Sequence, residues 1–583
     1  MCGIAGVFNC PAVGGPDVQR MVDAIEHRGP DENGVHACSR VTLGHARLAV
    51  VDPVNGGQPM CNHDGTVWVV FNGEVYNFVE LREELKAKGY HFKSRCDTEV
   101  LVHLWRELGP DMLHRLNGMF AFFVWDESQD RGMLARDRVG IKPCYLMPYE
   151  GGLAFCSEIK GLLTLPKARR EIHADAFVRT LAFNYGASEQ TCFDGITHLS
   201  PGTYVLFEGE RQHEPRTWWR WPFEGERQSA NYDELAELLD DAARMQLRFD
   251  VPGGFLLSGG VDSAVVTHHV IAREPTKDLA AISLDIDLPG FGEFEHARAV
   301  GRALGLEPVP VRVTPQSIAD NALNAVHHAE LPHGDFSFIL FYMMAQQANS
   351  MGRIVLFNGD GPDEIMLGFR HNASFCTNDA LDEHWASRYL PILRYTTDAE
   401  LRRVLNADVL AKAGEPSNAF AEAIQPWASL SPPEQIAAYE CTRLMPLNSF
   451  PKGDRMGACW ATEGRSLFLD HRVLELFARL PLDEKLYDGL SKRYLKQYAS
   501  ALPMNIDFTR PKTMPTTPIG EWLRSELYEW ARDILASTDY SVFKCDELLA
   551  MLDEHRDGAH NHTRPLRVAI MASLWLMHFR VTT

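Results

Sequence analysis

The chain has 583 residues, 45% of them hydrophobic and 23% charged, with a formal net charge of −21 from 57 basic and 78 acidic side chains. That length calls for roughly two to four domains rather than one core. The acidic excess argues against non-specific nucleic-acid binding and against an anionic membrane surface.

At the N-terminus, Met-Cys-Gly-Ile-Ala-Gly-Val-Phe8 has no basic region ahead of an apolar stretch, so no signal peptide is expected. Twelve cysteines without a Cys-x-x-Cys pair suit neither zinc nor a disulfide framework. The longest apolar run, 568–579, is too short to cross a membrane. The cytoplasm is the expected compartment.

Up to about residue 205, apolar runs predict strands over 4–8, 41–51, 67–71, 120–125, 132–136 and 153–157. Helices are predicted over 78–88, stopped by Gly89, and over 98–108. Strands in runs with segregated helices predict a layered α+β domain. Cys2 is the residue with chemistry. If Met1 is removed, one residue carries a thiol and a free α-amine of ordinary pKa about 7.7–8.0, a base for that thiol. Met-Cys alone would be an accident of composition; three later segments change the balance. Gly44-His-Ala-Arg-Leu-Ala-Val-Val51 offers Arg47, a guanidinium for a carboxylate. Phe71-Asn-Gly-Glu-Val-Tyr-Asn77 sets the Asn72 amide beside the Gly73 N–H, a donor pair suited to an oxyanion. Cys96-Asp-Thr-Glu99 offers Asp97, a carboxylate for an ammonium.

Together these segments resemble the class II glutamine amidotransferase domain, and the likeness runs on through Gln58-Pro59, 136–143 and 155–160 to Pro201-Gly202. The resemblance implies an N-terminal-nucleophile hydrolase with an αββα sandwich. It implies that Cys2 attacks the side-chain amide of glutamine and that Asn72 and Gly73 hold the oxyanion. Arg47 would grip the glutamine α-carboxylate, Glu74 and Asp97 its α-amine, and Leu48 and Val51 would line the site. Arg136, Asp137 and Lys142 are expected to form structural ion pairs, and Asn77 to cap the following helix.

Residues 206–229 are polar and irregular and are read as a linker between domains 1–205 and 230–583. Trp218, Trp219 and Trp221 are expected to pack at the interface.

A helix over 231–248 leads to a strand over 254–257 and the turn Ser258-Gly259-Gly260. Asp262 and Ser263 then open a helix over 264–272. A glycine turn feeding a helix N-terminus is an anion site, since its amides lack helical partners and the dipole favours negative charge. Ser258 and Ser263 add hydroxyls; Asp262 beside phosphate calls for a bridging Mg²⁺. No Gly-Lys dipeptide occurs, so this is not a Walker loop. The string 255–263 resembles the pyrophosphate loop of ATP-pyrophosphatases, which implies adenylation.

Strands over 280–286, 308–313 and 353–357 alternate with helices over 293–304 and 337–350, which predicts a parallel sheet with ligands at the carboxyl ends of its strands. Asn358-Gly-Asp-Gly-Pro-Asp-Glu364 then brings carboxylates toward the phosphate loop. A divalent cation would relieve their repulsion, so Asp363 joins Asp262 as a candidate metal ligand. The EF-hand pattern is absent. His327, His328, Glu330 and His333 are set aside as a metal motif because Pro332 breaks the helix it would need.

The last third reads as mostly helical. Asp454-Arg-Met, 463–470, 491–496, Leu502-Pro and Arg510-Pro-Lys512, taken singly, are salt-bridging helices. In this order they resemble the C-terminal part of glutamine-hydrolysing asparagine synthetases, so the likeness spans nearly the whole chain. It implies an adenine-nucleotide α-hydrolase-like α/β domain in which Lys492 stabilises charge as the adenylate forms. It implies that Asp360 acts in adenylation or in amide-forming proton transfer, and that Leu257, Leu284, Asn358 and Gly359 touch ATP. Departures cluster near this cleft: Pro362 for a small residue, Leu367-Gly-Phe for Gly-Gly-Tyr, no His-x-Glu at Leu306, and Thr513-Met-Pro for Gly-Phe.

The expected function is a ligase that takes ammonia from glutamine and, with MgATP, turns a carboxylic acid into an amide, aspartate first among acceptors. The alternatives are the same chemistry on another acid, or a dead glutamine- or nucleotide-binding regulator. Cys2 argues against a β-lactam synthetase relative, which usually lacks the nucleophile, and a phosphoribosyl or sugar-phosphate amidotransferase would lack the 255–263 loop. Glutamine, ATP and the acceptor are the expected partners; nucleic acid and membrane are not, and a homodimer is allowed.

Overall fold

Alternating apolarity builds the first half. Its strands are β1 (Gly3–Phe8), β2 (Glu32–Ala37), β3 (Val41–Arg47), β4 (Met60–Cys61), β5 (Val67–Val75), β6 (Gly118–Asp126), β7 (Arg131–Arg136), β8 (Tyr145–Tyr149), β9 (Gly152–Cys156), β10 (Thr197–His198), β11 (Thr203–Glu208), β12 (Arg211–Gln212) and β13 (Arg216–Thr217). The structure is a computed structural model that describes residues 1–186, 189–286, 288, 292–376, 381–509 and 517–583. Arg510-Pro-Lys512 and Thr513-Met-Pro lie outside the described residues.

One antiparallel sheet runs β10-β8-β9-β1-β3-β2; the other runs β12-β11-β7-β6-β5-β4, with β13 also on β11. Period two gives each strand two working faces. On β1, Ile4 and Phe8 point between the sheets, whereas Ala5 and Val7 pack with Val18, Met21 and Val22 of helix Gly15–Asp23. On β6, Phe123 and Trp125 face the first sheet, while Phe120 and Phe122 face the core of helices Phe78–Ala87 and Glu99–Leu108. The result is the αββα sandwich.

Strand β5 runs four residues past the predicted end at Phe71, carrying Asn72, Gly73 and Glu74 into the sheet. Asn77 sits at the helix start but makes no cap. Its amide donates to Arg115 O and its carbonyl accepts from Asn117 N–H. Arg136 and Asp137 are structural, as expected, yet their partners are backbone groups. Arg136 donates to the carbonyls of Gly140, Lys142 and Leu199, and Asp137 accepts N–H groups from Phe120 and the 139–142 turn. Lys142 does form an ion pair, with Asp454 of the second half. The sheet also continues past Val205, because β13 pairs back onto β11. Trp218 then stacks near Phe120 and Trp219 donates to Glu475.

The second half holds a parallel sheet of β14 (Gly253–Leu256), β15 (Leu279–Ile286), β16 (Val309–Val313), β17 (Val355–Phe357) and β18 (Glu463–Arg465), ordered β16-β15-β14-β17-β18. Helix Val261–Arg273 links β14 to β15, Phe294–Ala303 links β15 to β16, and Pro315–Ala329 with Ser337–Ser350 link β16 to β17. The chain winds outward from β14 to β16, then returns to β17 on the other side of β14. That reversal opens a crevice at the strand ends. Strand β18 lies in a stretch read as helical; parallel pairing with β17, not local alternation, holds it extended. Helices fill most of the remainder, ending with Thr563–Phe579. No helix of the described residues is long and apolar enough to cross a membrane.

Candidate active sites

Two clefts gather the candidate site residues singled out from sequence except Asn72, which is buried beside the first and lines neither, and a small cavity lies between them. The first cleft is walled by Cys2, Arg47, Leu48, Val51, Gly73, Glu74, Asp97 and Glu463. Cys2 lies at the head of β1, and its Sγ is 3.7 Å from Leu48 O. Burial raises the Cys2 thiol, while the Met1 ammonium works against that rise. Arg28 Nε donates to Cys2 O at 2.8 Å and so fixes the backbone behind the sulfur. Asn72 is fully buried, and neither side-chain atom has a hydrogen-bond partner among the described residues. An amide left so in a core is costly unless something else uses it. Beside it Gly73 has φ +151°, and a Cβ there would lie 2.0 Å from Met119 O. Only glycine lets β5 turn its N–H at that point.

Arg47 is already engaged. It donates to Pro53 O at 2.9 Å and Asp52 O at 2.7 Å, and pairs with Glu32 at 3.2 Å, so it anchors the loop over the cleft. Asp97 accepts from Val75 N–H at 2.9 Å, and burial raises its carboxyl. Glu74 is pushed well up by burial, against the pull of Arg465 at 2.9 Å. Arg465 also pairs with Glu463 at 2.9 Å, and Glu463 approaches the Met1 ammonium at 4.0 Å. Burial pulls that ammonium down to about 6. Glu463 and Arg465 fall in the 463–470 segment that stands out in the sequence, but nothing local there points to the glutamine cleft; pairing of β18 beside β17 brings them to it.

The second cleft, a cavity of about 250 Å³, opens at the ends of β14, β15 and β17. Leu257, Ser258, Gly259, Gly260, Asp262 and Ser263 form one wall. Leu284 comes from β15; Asn358, Gly359, Asp360 and Asp363 follow β17; Lys492 closes the far side. Every ATP-side residue chosen from sequence is here. The turn is held by Ser258 N–H to Ser263 Oγ at 3.2 Å and Gly260 N–H to Ser258 Oγ at 3.3 Å. Gly259 has φ +74°, and Gly260 caps helix Val261–Arg273 with no side-chain bond. The first turn of that helix, whose N–H groups lack helical partners, lines the cavity, an arrangement that suits an anion. Lys496, one turn beyond Lys492, also lines the cavity, as do Phe341 and Met344. The i, i+4 lysine spacing could have found Lys496; two apolar residues on an apolar helix carry no such signal.

The charge here is organised. Lys492 Nζ lies 2.6 Å from Asp262 Oδ2 and 2.9 Å from Asp363 Oδ1. Burial lowers the Lys492 ammonium, but the two carboxylates outweigh it and hold it above its ordinary range. Two carboxylates that already converge on a cation fit the metal role predicted for them. Asp360 accepts from the Asn358 amide at 2.8 Å, and burial raises its carboxyl to about 6. Glu364 accepts from Ser449 Oγ at 2.7 Å and is raised by burial to about 7. The intermediate cavity touches Met1, Lys142, Arg465, Asn358 and Asp360. It shares Asn358 and Asp360 with the large cavity and borders the first cleft at Met1–Cys2 and at 463–465.

Residues 1–219 match the family model described as glutamine amidotransferase domain, and residues 234–577 match that described as asparagine synthase. The chain is similar to asparagine synthetase (glutamine-hydrolyzing) 1 of Bacillus subtilis, at 28% identity over 613 residues covering 99% of this chain and 96% of that one. Asparagine synthetase (glutamine-hydrolyzing) 3 of the same organism is 27% identical, covering 92% and 91%. Amidase chyE of Penicillium rubens is 28% identical over 64% of this chain and 58% of its own.

Proposed function

The chain belongs to the asparagine synthase family, as an ATP-dependent amide-forming ligase that uses glutamine, and on that premise we propose that aspartate is its acceptor and that the two clefts divide the reaction. In the first, loss of Met1 frees the Cys2 amine to take the thiol proton. The sulfur attacks the side-chain amide carbon of glutamine. The Asn72 amide, without a hydrogen-bond partner among the described residues, and the Gly73 N–H receive the oxyanion. Ammonia leaves, and water releases glutamate from the thioester. Arg47 serves the α-carboxylate while holding its loop; Glu74 and Asp97, whose charges burial disfavours, regain them against the α-ammonium.

In the second cleft the acceptor carboxylate attacks the α-phosphate of ATP, giving an acyl-adenylate and pyrophosphate. Ammonia then displaces AMP. The Gly259–Gly260 turn and the helix N-terminus seat the leaving pyrophosphate. Asp262 and Asp363 would hold Mg²⁺, which when bound supplies positive charge against the phosphates. Lys492 meets charge building on the α-phosphate side. Asp360, at the seam between the large cavity and the intermediate one, takes a proton from the incoming nitrogen. The observation that carries this reading is that seam: cavities that share Asn358 and Asp360 and reach Met1–Cys2 give ammonia a sheltered route, away from bulk water that would protonate it.

The test is acid-dependent pyrophosphate release with glutamine as nitrogen source. Aspartate should be amidated with one glutamate formed per AMP. No release with aspartate, but release with another acid in a panel, would leave the chemistry standing and replace the acceptor. One observation favours that second reading. Buried Leu367 holds a left-handed φ of 54°, and the Gly368 N–H after it donates to Asp363 O at 2.7 Å. A leucine held so beside the cleft is strained by about 1–3 kcal/mol, where a glycine would not be.

A further inference from the structure

Where the edge of the first sheet meets a turn of the second, a group of side chains stands outside the amide chemistry. His36 lies near the end of β2 and Cys38 one residue past it. Glu127 follows β6 in the opposite sheet. Each of the three offers a ligand atom within 4.8 Å of the other two. The His36 ring lies flat on Trp68, with centroids 3.4 Å apart and planes at 14°, which fixes its orientation. His36 Nε2 is shielded from solvent with no hydrogen-bond partner among the described residues. Cys38 is a free, half-buried thiol. The acids on either side are taken, Asp126 by Arg106 and Asp130 by Arg40. Glu127 has no ion pair among the described residues.

We propose that His36, Cys38 and Glu127 bind one zinc ion that ties β2 to the β6–β7 turn, with water as fourth ligand. A thiolate with an imidazole selects zinc over magnesium or calcium. Tetrahedral ligand atoms around zinc lie about 3.3–3.5 Å apart, so the group closes by small rotations of Cys38 and the exposed Glu127. The Cys38 S–H proton passes to solvent as the sulfur–zinc bond forms, and nothing is oxidised. Spacing rules overlook such a site because two ligands come from the end of β2 and the residue after it, and the third from a distant turn. His27, Glu158 and His328 are equally close together, but Arg28 and Lys160 already hold Glu158, and a divalent ion would face both cations.

The experiment uses the full chain, stripped by chelator and free of Mg²⁺ and ATP, titrated with Co²⁺. About one equivalent should give thiolate-to-cobalt charge-transfer absorption that Zn²⁺ removes. Cys38→Ser should abolish the absorption, and His36→Ala should weaken Co²⁺ binding by at least about tenfold. Glutaminase activity, unchanged in both variants, reports that they fold. Absorption that survives Cys38→Ser, or none in the wild-type chain, overturns the site.

Discussion

Burial raises the Asp360 carboxyl to about 6 from an ordinary 3.8, against the pull of Lys452 and the Asn358 amide. The folded state therefore holds this proton more tightly than the unfolded chain. Its ionised form weighs against the fold: not at all below pH about 3.8, increasingly as pH rises toward 6, and fully above. Two pKa units correspond to roughly 3 kcal/mol at most. Asp360→Asn should raise the urea midpoint at pH 8 more than at pH 5, while amide synthesis falls. In the unaltered enzyme, synthesis should decline below pH about 6 when followed by AMP release; a flat profile would remove Asp360 from proton transfer. Cys2 and Lys492 separate the two clefts. Cys2→Ala should end glutamine use yet spare pyrophosphate release driven by ammonium salts; loss of both activities would sink the two-cleft assignment. Lys492→Ala strips the cation from between Asp262 and Asp363. Acid-dependent pyrophosphate release should drop about 10²–10³-fold while glutaminase activity persists.

Close approach of backbones shapes the ATP cleft more than any single side chain. A Cβ on Gly359 would lie 2.6 Å from Ser263 N and 2.8 Å from Asp262 Cβ, so the turn after β14 and the turn after β17 touch there. Gly359→Ala should push them apart and raise the KM for ATP at least about tenfold, the size of one lost charged contact, with glutamine hydrolysis unchanged. Normal ATP kinetics in that variant would show that the two turns do not share the nucleotide. Such contacts explain what could be read from sequence and what could not. Strands β14 to β17 are legible because each is an apolar run followed by a helix, and glycine with serine at a strand end is a local signal. Glu463-Gly-Arg465 has no alternation, and only its pairing beside β17 makes it a strand. Asn72 was readable as a donor from its neighbour Gly73, but its burial without partners is a product of sheet packing. The loop-anchoring of Arg47 and the pairing of Glu74 with Arg465 depend on residues brought together by folding, which no window on the sequence contains.

Buried charge joins the two halves. Arg28 bridges Glu158 at 2.7 Å and Asp454 at 2.8 Å, and Lys142 reaches the same Asp454 at 3.3 Å. Buried ion pairs gain little over apolar packing, but breaking one leaves a charge stranded, so they define one arrangement of the halves sharply. Arg465 lines the intermediate cavity and makes a contact toward each cleft. Its guanidinium pairs with Glu74 at the glutamine side, and its carbonyl accepts the Asn358 N–H at 2.9 Å beside the ATP cavity. A shift of the Asn358 turn would thus reach Glu74 through one residue. Arg465→Lys keeps the charge and loses the planar fork that spans Glu74 and Glu463. Ammonium-driven amide synthesis should stay within about twofold, since nothing at the ATP cavity is removed, a loss below about 0.5 kcal/mol. Glutamine hydrolysis should run ahead of synthesis, so that glutamate formed per AMP rises above one. If that ratio stays where the unaltered chain has it, the Arg465 link does not couple the clefts, and the shared cavity walls at Asn358 and Asp360 must do so by sheltering ammonia alone.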